Sequence, residues 1–209
     1  MKPVERALSE REPLASLLDA LAAMTPAPGG GSAAAWGLAL SAALLEMACA
    51  FTLARDTYTD SHPRARVIDA RVRDLRALAL TCASEDLSAY AGVIEAMRIP
   101  DSDPTRTARI EAALSDAAEP PLATARVAAE LADLAAELAL TGNPNLLGDA
   151  ATACLLAEAG CRAAVTLVRI NLRDAPDDPR LAETEGLAAR APAARARLTL
   201  TDRLAVAYR

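Results

Sequence analysis

Residues 33–54 form a stretch of small and aliphatic side chains that contains one charged residue, Glu46. The stretch is long enough to cross a bilayer. It is rich in alanine and glycine, however, and lacks the flanking aromatic or basic anchors of a membrane span, so we expect a soluble protein. In a soluble protein, a helix that is apolar on all sides is the central helix of a bundle or lies at an oligomer interface.

The composition of the core points to an all-α fold. Hydrophobic residues make up 53% of the 209-residue chain, whereas aromatic residues make up 2%. The core must therefore consist of Ala, Leu, Val, Ile and Met, which let helices approach closely and fill a sandwich or barrel poorly. Apolar residues recur with helical spacing, and alternating β-branched runs are absent. We predict an all-α bundle of long helices around a buried central apolar helix.

Prolines, glycines and capping residues divide this bundle into its predicted helices. These cover about residues 12–24, 33–55, 64–97 and 103–118. A further helix follows a break at 119–121 and runs to about 140, the next spans about 146–172, and a last stretch begins at 178 and is interrupted near Pro192. No repeat or low-complexity linker appears, so we predict one domain over residues 1–209.

The second and sixth predicted helices are more apolar than surface helices. Ala33, Gly37 and Ser41 recur every four residues, and such a row of small side chains permits a close helix crossing. We therefore predict a bundle whose middle faces a second subunit. The alternative is a monomer that buries both helices internally.

Charge and cysteine usage exclude several classes of function. The net charge is −6, and no Lys/Arg cluster suggests a nucleic-acid surface. Lys2 is the only lysine, so no buried lysine is present to act as a base or to form a Schiff base. Charged residues follow Met1 in place of an apolar signal region, so we expect no export.

The four cysteines are expected to be structural. None belongs to a CxxC pair, and the single histidine, His62, cannot complete a usual zinc set with them. Each cysteine lies in an apolar helical run, which favours buried, reduced thiols in a cytoplasmic protein without a metal. The four are Cys49, Cys82, Cys154 and Cys161.

A glycine-rich loop directly precedes the apolar helix. Its sequence is Pro26-Ala-Pro-Gly-Gly-Gly-Ser32, in which Gly29, Gly30 and Gly31 expose backbone N–H groups and Ser32 can cap the helix. Together they predict a donor-rich pocket at the positive end of the helix dipole. The loop lacks the Gly-Lys-Ser/Thr ending of a P-loop, does not follow a strand, and is not a dinucleotide fingerprint. A plain structural connector is the alternative.

Four further motifs follow this loop along the chain. They are Asp86-Leu-Ser-Ala-Tyr90 with Ala96 and Pro100, Arg106 with the alanine-rich run to Pro121, Gly142-Asn143-x-Asn145-x-x-x-Asp149, and Asn171-Leu172. In this order, and together with Pro28–Ser32, they resemble the formiminotransferase-cyclodeaminase C-terminal domain family. That family also contains stand-alone methenyltetrahydrofolate cyclohydrolases. The similarity spans about residues 14–172.

The resemblance implies an all-α fold, usually a homodimer, and a folate site lined by the glycine loop and the polar residues of the other motifs. The chain also departs from the family. Arg55-Asp-Thr-Tyr58 and Asp101 stand where relatives commonly have lysine, and Gly148 replaces the usual serine before Asp149. Because arginine does not easily release a proton, these positions argue against a mechanism that relies on a lysine general base, and they favour the alternative of a non-catalytic folate-binding dimer.

The chemistry of both candidate reactions favours carboxylates. Each passes through a tetrahedral one-carbon centre between N5 and N10 of the folate and needs a proton donor and acceptor, but no metal or covalent nucleophile. Burial raises carboxylate pKa values towards neutrality. Asp86 and Asp149 are the predicted acid/base residues. The alternatives are a solvated helix residue for Asp86 and a first-turn carboxylate that complements the helix dipole for Asp149.

Other polar residues are candidates for substrate binding. Arg55 and Arg106 can hold the glutamate tail of folate bidentately, with surface ion pairs as the alternative. Asn143, Asn145 and Asn171 can read the pterin edge, although the first two also suit turn formation. Glu46, the odd charge of the apolar helix, either pairs with an arginine across the bundle or faces the ligand.

The sequence therefore predicts a tetrahydrofolate one-carbon enzyme, either a methenyltetrahydrofolate cyclohydrolase or a formiminotetrahydrofolate cyclodeaminase. Because no formiminotransferase domain is fused to this chain, the first is favoured. The expected partners are a small folate and a second copy of the chain, with no nucleic acid and no membrane. The alternatives are a non-catalytic helical dimer that binds folate or a partner, and a purely structural interaction module.

Overall fold

A computed structural model of the protein describes residues 14–199. The α-helices in that range are α1 (Leu14–Ala22), α2 (Gly30–Leu53), α3 (His62–Met97), α4 (Arg106–Asp116), α5 (Glu119–Thr141), α6 (Leu147–Asn171) and α7 (Pro179–Thr199). Two short 3₁₀ segments, Asp56–Ser61 and Pro144–Leu146, precede α3 and α6. No strand occurs between residues 14 and 199. The all-α prediction is confirmed.

Prolines mark the first turns of two helices. Pro63 lies in the first turn of α3, and Pro120 and Pro121 lie in the first turn of α5, where a missing N–H breaks no helical bond. Asp103 accepts a hydrogen bond from the Thr105 N–H at 2.8 Å just before α4 begins. Helix α4 ends at Asp116 and α5 begins at Glu119, so the expected break between them is present.

The predicted interruption near Pro192 is wrong. Helix α7 continues through this proline to its last described turn. A proline removes one backbone hydrogen bond, but Leu187, Ala191, Ala194 and Leu198 are buried against the rest of the bundle. That tertiary packing outweighs the local defect.

Helix α5 lies at the centre of the bundle and packs against α2, α3, α6 and α7. Its buried face consists largely of alanine, as at Ala125, Ala128, Ala132 and Ala136. The core thus has the small, non-aromatic character that the composition predicted. Small side chains bring the helix axes close together, so shape complementarity depends on single methyl groups.

Helices α2 and α6 cross closely, at a different glycine from the one expected. A Cβ atom at Gly160 would lie 2.7 Å from Leu38 Cδ2 and 3.7 Å from the Ala34 carbonyl oxygen. Ser41 Oγ donates to the Ala153 carbonyl at 2.8 Å and fixes the same crossing. Gly37 faces open space instead. Of the predicted row, only Ser41 is buried at the crossing.

The outward faces of α2 and α6 remain uncovered within one chain. Leu40 is 54% exposed, Phe51 51% and Leu155 53%. Helix α1 likewise buries none of its residues. By length and composition alone, Gly30–Leu53 and Pro144–Asn171 would also pass for membrane spans. In this structure both are inner helices of the bundle with one apolar side left open.

Arginine–carboxylate pairs tie the outer helices to the centre. Arg71 pairs with Glu130 between α3 and α5 at 2.6 Å, and Arg126 pairs with Glu183 between α5 and α7 at 2.6 Å. On α2, Glu46 pairs with Arg76 of α3 at 2.6 Å. Glu46, the charged residue of the apolar helix, thus forms an ion pair with an arginine of a neighbouring helix, which is one of the two roles expected for it.

All four cysteines are free and buried. Burial is the main cause that raises the pKa of the Cys49 thiol to about 12 and that of Cys154 and Cys161 to about 11. They are buried core residues, as predicted.

Candidate active site

The N-terminus of α2 is built from the glycine loop. Gly29 is the N-cap residue, and the N–H groups of Gly30 and Gly31 have no hydrogen-bond partner among residues 14–199. Both N–H groups point out of the amino end of the helix, along its axis, where the helix dipole is positive. The expected donor-rich end is therefore present. Ser32 does not cap this helix, because it is the third residue of α2 and binds a side chain of α3 instead.

That side chain is Asp86. Its Oδ2 accepts hydrogen bonds from the backbone N–H and from Oγ of Ser32, each at 2.9 Å. The Ser32 hydroxyl also lies 3.2 Å from the Ala83 carbonyl oxygen. Asp86 is thus fixed at the amino end of α2 and is not a freely solvated helix residue.

With Asp86 in its observed position, only glycine fits at position 31. A Cβ atom there would lie 1.9 Å from Asp86 Oδ1 and 2.4 Å from its Cγ. At Gly29 and Gly30 a Cβ would meet nothing within 4 Å. The glycine loop therefore does more than turn the chain, since Gly31 makes room for the carboxylate.

The environment of Asp86 favours proton transfer. Burial raises the pKa of its carboxyl above the ordinary value of 3.8, while the two hydrogen bonds from Ser32 act in the opposite direction. A partly dehydrated carboxylate with a raised pKa is a better proton acceptor than a solvated one. Its second oxygen, Oδ1, accepts no hydrogen bond from the described part of the chain.

A cavity of about 280 Å³ opens beside Asp86. Its walls come from the glycine loop, α3, the junction between α4 and α5, and the end of α6. The lining residues are Pro26, Ala27, Gly29, Gly30, Gly31, Asp86, Tyr90, Ala117, Pro121, Leu167, Ile170 and Asn171. The structure thus brings six of the predicted site residues to one place: Gly29, Gly30, Gly31, Ser32, Asp86 and Asn171.

A hydrogen bond to another wall of the cavity orients the Asn171 side chain. Its Nδ2 donates to the Ala117 carbonyl at 2.7 Å, which fixes the amide and leaves Oδ1 as an acceptor. The cavity therefore offers unpaired donors at Gly30 and Gly31, an acceptor at Asn171 and an acid/base group at Asp86. This set suits a flat heterocycle with mixed donors and acceptors.

Several lining residues were not predicted. Tyr90 follows Asp86 by four residues on α3, so one helix face carries both. The same spacing joins Leu167 to Asn171 on α6, and Ile170 lies beside Asn171. Helical spacing from a predicted site residue was the available signal, and it pointed to these apolar neighbours.

The remaining candidates on the asparagine turn lie elsewhere in the chain. The Asn143 N–H donates to Thr52 Oγ1 at 3.1 Å, near the carboxyl end of α2, and its Oδ1 accepts from the Asn145 N–H at 3.0 Å. Asp149 lies in the first turn of α6. Since Asn171 is the last residue of that helix, Asp149 is about 33 Å away from it along the axis. Within one chain, these three residues are far from the cavity.

The two predicted arginines lie at the ends of connecting segments. Arg55 follows α2 at the same end as the asparagine turn, and its carbonyl oxygen lies 3.1 Å from His62 Nε2. Arg106 Nε donates to the Ile99 carbonyl at 2.8 Å and lies 3.1 Å from Asp101. Neither arginine lines the cavity in this structure.

Comparisons with known proteins agree with this architecture. A profile of the family described as Formiminotransferase-cyclodeaminase matches residues 13–189. A methenyltetrahydrofolate cyclohydrolase of Methylorubrum extorquens is 35% identical over 91% of this chain and 96% of its own length. The rat formimidoyltransferase-cyclodeaminase is 31% identical over 84% of this chain, and the match spans 35% of that longer protein.

A solved structure shares the same fold. The formiminotetrahydrofolate cyclodeaminase of Thermotoga maritima superposes with a TM-score of 0.83 at 29% sequence identity. The match covers 90% of this chain and 94% of the other. The helical bundle, the glycine loop and the profile match lead to one conclusion: the protein belongs to the formiminotransferase-cyclodeaminase family.

Proposed function

We propose that the protein is a folate one-carbon enzyme with methenyltetrahydrofolate cyclohydrolase activity. The identity to the cyclohydrolase of Methylorubrum extorquens is 35% over 91% of this chain, compared with 31% over 84% for the rat formimidoyltransferase-cyclodeaminase. The observation that carries the proposal is the partly dehydrated Asp86 carboxylate, seated beside unpaired backbone donors in a cavity.

In the proposed reaction, Asp86 activates water. Its Oδ1 accepts a proton as the water oxygen bonds to the methenyl carbon, which yields a tetrahedral centre between N5 and N10. The C–N5 bond then breaks with a proton on N5 and gives 10-formyltetrahydrofolate. One proton is released to solvent per turnover. The Gly30 and Gly31 N–H groups donate to oxygen that gains negative charge, and Asn171 Oδ1 accepts from the pterin edge.

Formiminotetrahydrofolate cyclodeaminase activity is the second candidate. The structural similarity to the Thermotoga maritima enzyme supports it. Here N10 attacks the formimino carbon, and ammonia leaves after it gains a proton. Asp86 serves in the same place, since this reaction also needs a proton acceptor and a donor at one carbon.

We further propose a homodimer whose sites each use both chains. The exposed Leu40, Phe51 and Leu155 form an apolar face on α2 and α6 that a second copy would cover. Two-fold pairing with α2 antiparallel would place the asparagine turn and Asp149 of one copy beside the glycine loop of the other. This accounts for why the predicted site residues lie at opposite ends of α2 within one chain. Arg55 remains a candidate for the glutamate tail in that arrangement, and Arg106 at its own position.

A complementation experiment with two inactive variants tests whether each site is shared between the chains. Asp86→Asn and Asp149→Asn proteins are each expected to be nearly inactive. If each site uses both chains, random reassociation gives heterodimers with one intact site, and about a quarter of wild-type activity returns. Reassociated mixtures that stay inactive would contradict the shared site. Leu155→Glu is expected to give monomers, because it places a charge on the apolar face. Leu78→Glu, on the exposed face of α3, is the control and is expected to remain dimeric.

The activity itself is measured directly. Purified protein is mixed with 5,10-methenyltetrahydrofolate, and the loss of its ultraviolet absorption is compared with a buffer blank. Ammonia release from the formimino substrate is measured in parallel. Tight folate binding without either turnover would indicate a non-catalytic dimer, and the absence of binding would indicate a structural module.

The reaction needs only proton transfer, so we propose that it uses no metal, and EDTA is expected to leave the rate unchanged. The free, buried thiols support a reducing, cytoplasmic location. Residues 1–209 are proposed to fold as one domain, with the folate as the small-molecule partner and without nucleic-acid or membrane binding.

A further inference from the structure

The cavity beside Asp86 has two chemically different sides. Its polar side carries the glycine N–H groups, Asp86 and Asn171, whereas Tyr90, Leu167 and Ile170 line an apolar side. Tyr90 is 41% exposed and Ile170 51% exposed, so neither contributes fully to the core. Exposed apolar side chains next to convergent polar groups are typical of a surface that a ligand covers.

The aromatic ring at this position is unusual for the chain. The sequence contains one Trp, three Tyr and one Phe in 209 residues, and between residues 14 and 199 none of them is fully buried, although Trp36 packs against a small buried cluster. Tyr90 follows Asp86 by one helical turn, about 6 Å along the axis of α3. The Tyr90 hydroxyl has no hydrogen-bond partner within residues 14–199. Tyr90 therefore contributes mainly an aromatic surface to the cavity.

The order of groups in the substrate matches the order of groups on the wall. This step rests on the proposed function. The reacting carbon of a one-carbon folate lies between the polar pterin and the apolar p-aminobenzoyl ring. With the reacting carbon at Asp86, its oxygen at the glycine amides and the pterin edge at Asn171, the p-aminobenzoyl ring extends along α3. We propose that Tyr90 contacts the face or edge of that ring, and that Ile170 and Leu167 complete the slot from α6.

The contact acts on binding more than on rate. The p-aminobenzoyl ring is next to the reacting carbon in both ground and transition states, so its removal affects both nearly equally. Aromatic pairs contribute a modest interaction beyond buried area, and the expected change in KM is about tenfold.

Three variants test this contact through KM and kcat with 5,10-methenyltetrahydrofolate. Tyr90→Ala is expected to raise KM about tenfold with kcat within about twofold of wild type. Tyr90→Phe keeps the ring and is expected to match wild type. Leu78→Ala is the control, because Leu78 is also on α3, is 45% exposed and lies away from the cavity.

Other results would overturn the inference. A KM for Tyr90→Ala within twofold of wild type would remove the contact. Loss of binding in Tyr90→Phe would assign the effect to the hydroxyl. A fall in kcat alone would place Tyr90 in the chemistry and not in binding.

A fragment identifies the ring that is contacted. p-Aminobenzoylglutamate is expected to inhibit wild type competitively and to inhibit Tyr90→Ala at least several-fold more weakly. Equal inhibition of the two proteins, or none of wild type at the solubility limit, would overturn the assignment to this ring. If wild type shows no turnover, the proposed function fails. The Kd for 5-formyltetrahydrofolate then replaces KM in the same comparison and tests the contact independently.

Discussion

Ser32 donates two hydrogen bonds to one oxygen of Asp86, from its backbone N–H and from its hydroxyl, each at 2.9 Å. The second carboxylate oxygen lies over Gly31, where a side chain would collide with it. One oxygen is therefore held and the other is available at the cavity. This division positions the carboxylate and keeps one oxygen as the proton acceptor.

Replacement of Asp86 by asparagine tests its role as that acceptor. We expect kcat to fall about 10²- to 10⁴-fold with a smaller change in KM, since the amide keeps the shape but cannot accept the proton. Steady-state kinetics measure both constants. A rise in KM with unchanged kcat would make Asp86 a binding residue only.

Removal of the Ser32 hydroxyl should shift the pH profile. The hydrogen bonds from Ser32 lower the pKa of Asp86 against the larger effect of burial, so Ser32→Ala raises that pKa further. Because the ionised carboxylate is the base, the acidic limb of kcat/KM moves to higher pH. Ser88→Ala on the exposed side of α3 is the control, and a limb that stays in place in Ser32→Ala would disprove the link.

Alanine at position 31 is expected to displace Asp86. Its Cβ cannot coexist with a carboxylate oxygen 1.9 Å away, so we predict at least a 100-fold loss of kcat with the helical content retained. Gly92→Ala on α3 is the matched control, since a Cβ there meets nothing within 4 Å. That control should keep full activity and gain up to about 1 kcal/mol in stability. Full activity in Gly31→Ala would show that Asp86 moves without consequence.

The crossing of α2 and α6 predicts a coupled pair. Gly160→Ala brings a methyl group to 2.7 Å from Leu38, which is fully buried, and should lower the free energy of unfolding by about 1–3 kcal/mol. In the double variant with Leu38→Ala, the new methyl occupies space that the leucine vacated. Urea unfolding should therefore give a double-variant loss smaller than the sum of the single losses.

Acid should weaken the contacts of α5 with its neighbours. Hydrogen bonds from arginine lower the pKa of Glu130 and Glu137 below the ordinary value of 4.5. A carboxylate with a lowered pKa stabilises the fold above its unfolded pKa, and this contribution disappears as pH falls below about that value. The urea midpoint of wild type is therefore expected to fall from pH 5 to pH 3. The Glu130→Gln, Glu137→Gln double variant should fall less, whereas Glu111→Gln should behave as wild type.

The helices and the core composition were accessible from the sequence because they follow local rules. Prolines placed the starts of α3 and α5, and the scarcity of aromatic residues foretold the alanine-rich face of α5. The glycine loop and Asp86 were both chosen as site residues, since each belongs to a short motif. The exception is Pro192, where burial of the surrounding face of α7 overrides a local helix breaker.

Tertiary placement was harder to predict. Tyr90, Leu167 and Ile170 were missed because the site was predicted from its polar groups, and helical spacing alone does not show which neighbours of Asp86 and Asn171 border a cavity. The separation of Asp149 from Asn171, in contrast, was implied by the predicted helix over 146–172. A straight helix of that length cannot bring residues near its two ends to one small cavity.

The burial of Asp86 has a consequence for the protein as a whole. Because the folded chain disfavours the ionised carboxylate, the native state is weakened as pH rises through the elevated pKa of this group. At neutral pH, the group that we assign to the chemistry therefore works against folding. Selection for thermal stability alone would therefore be expected to replace this aspartate with a neutral side chain. The resulting variant would be more stable but inactive.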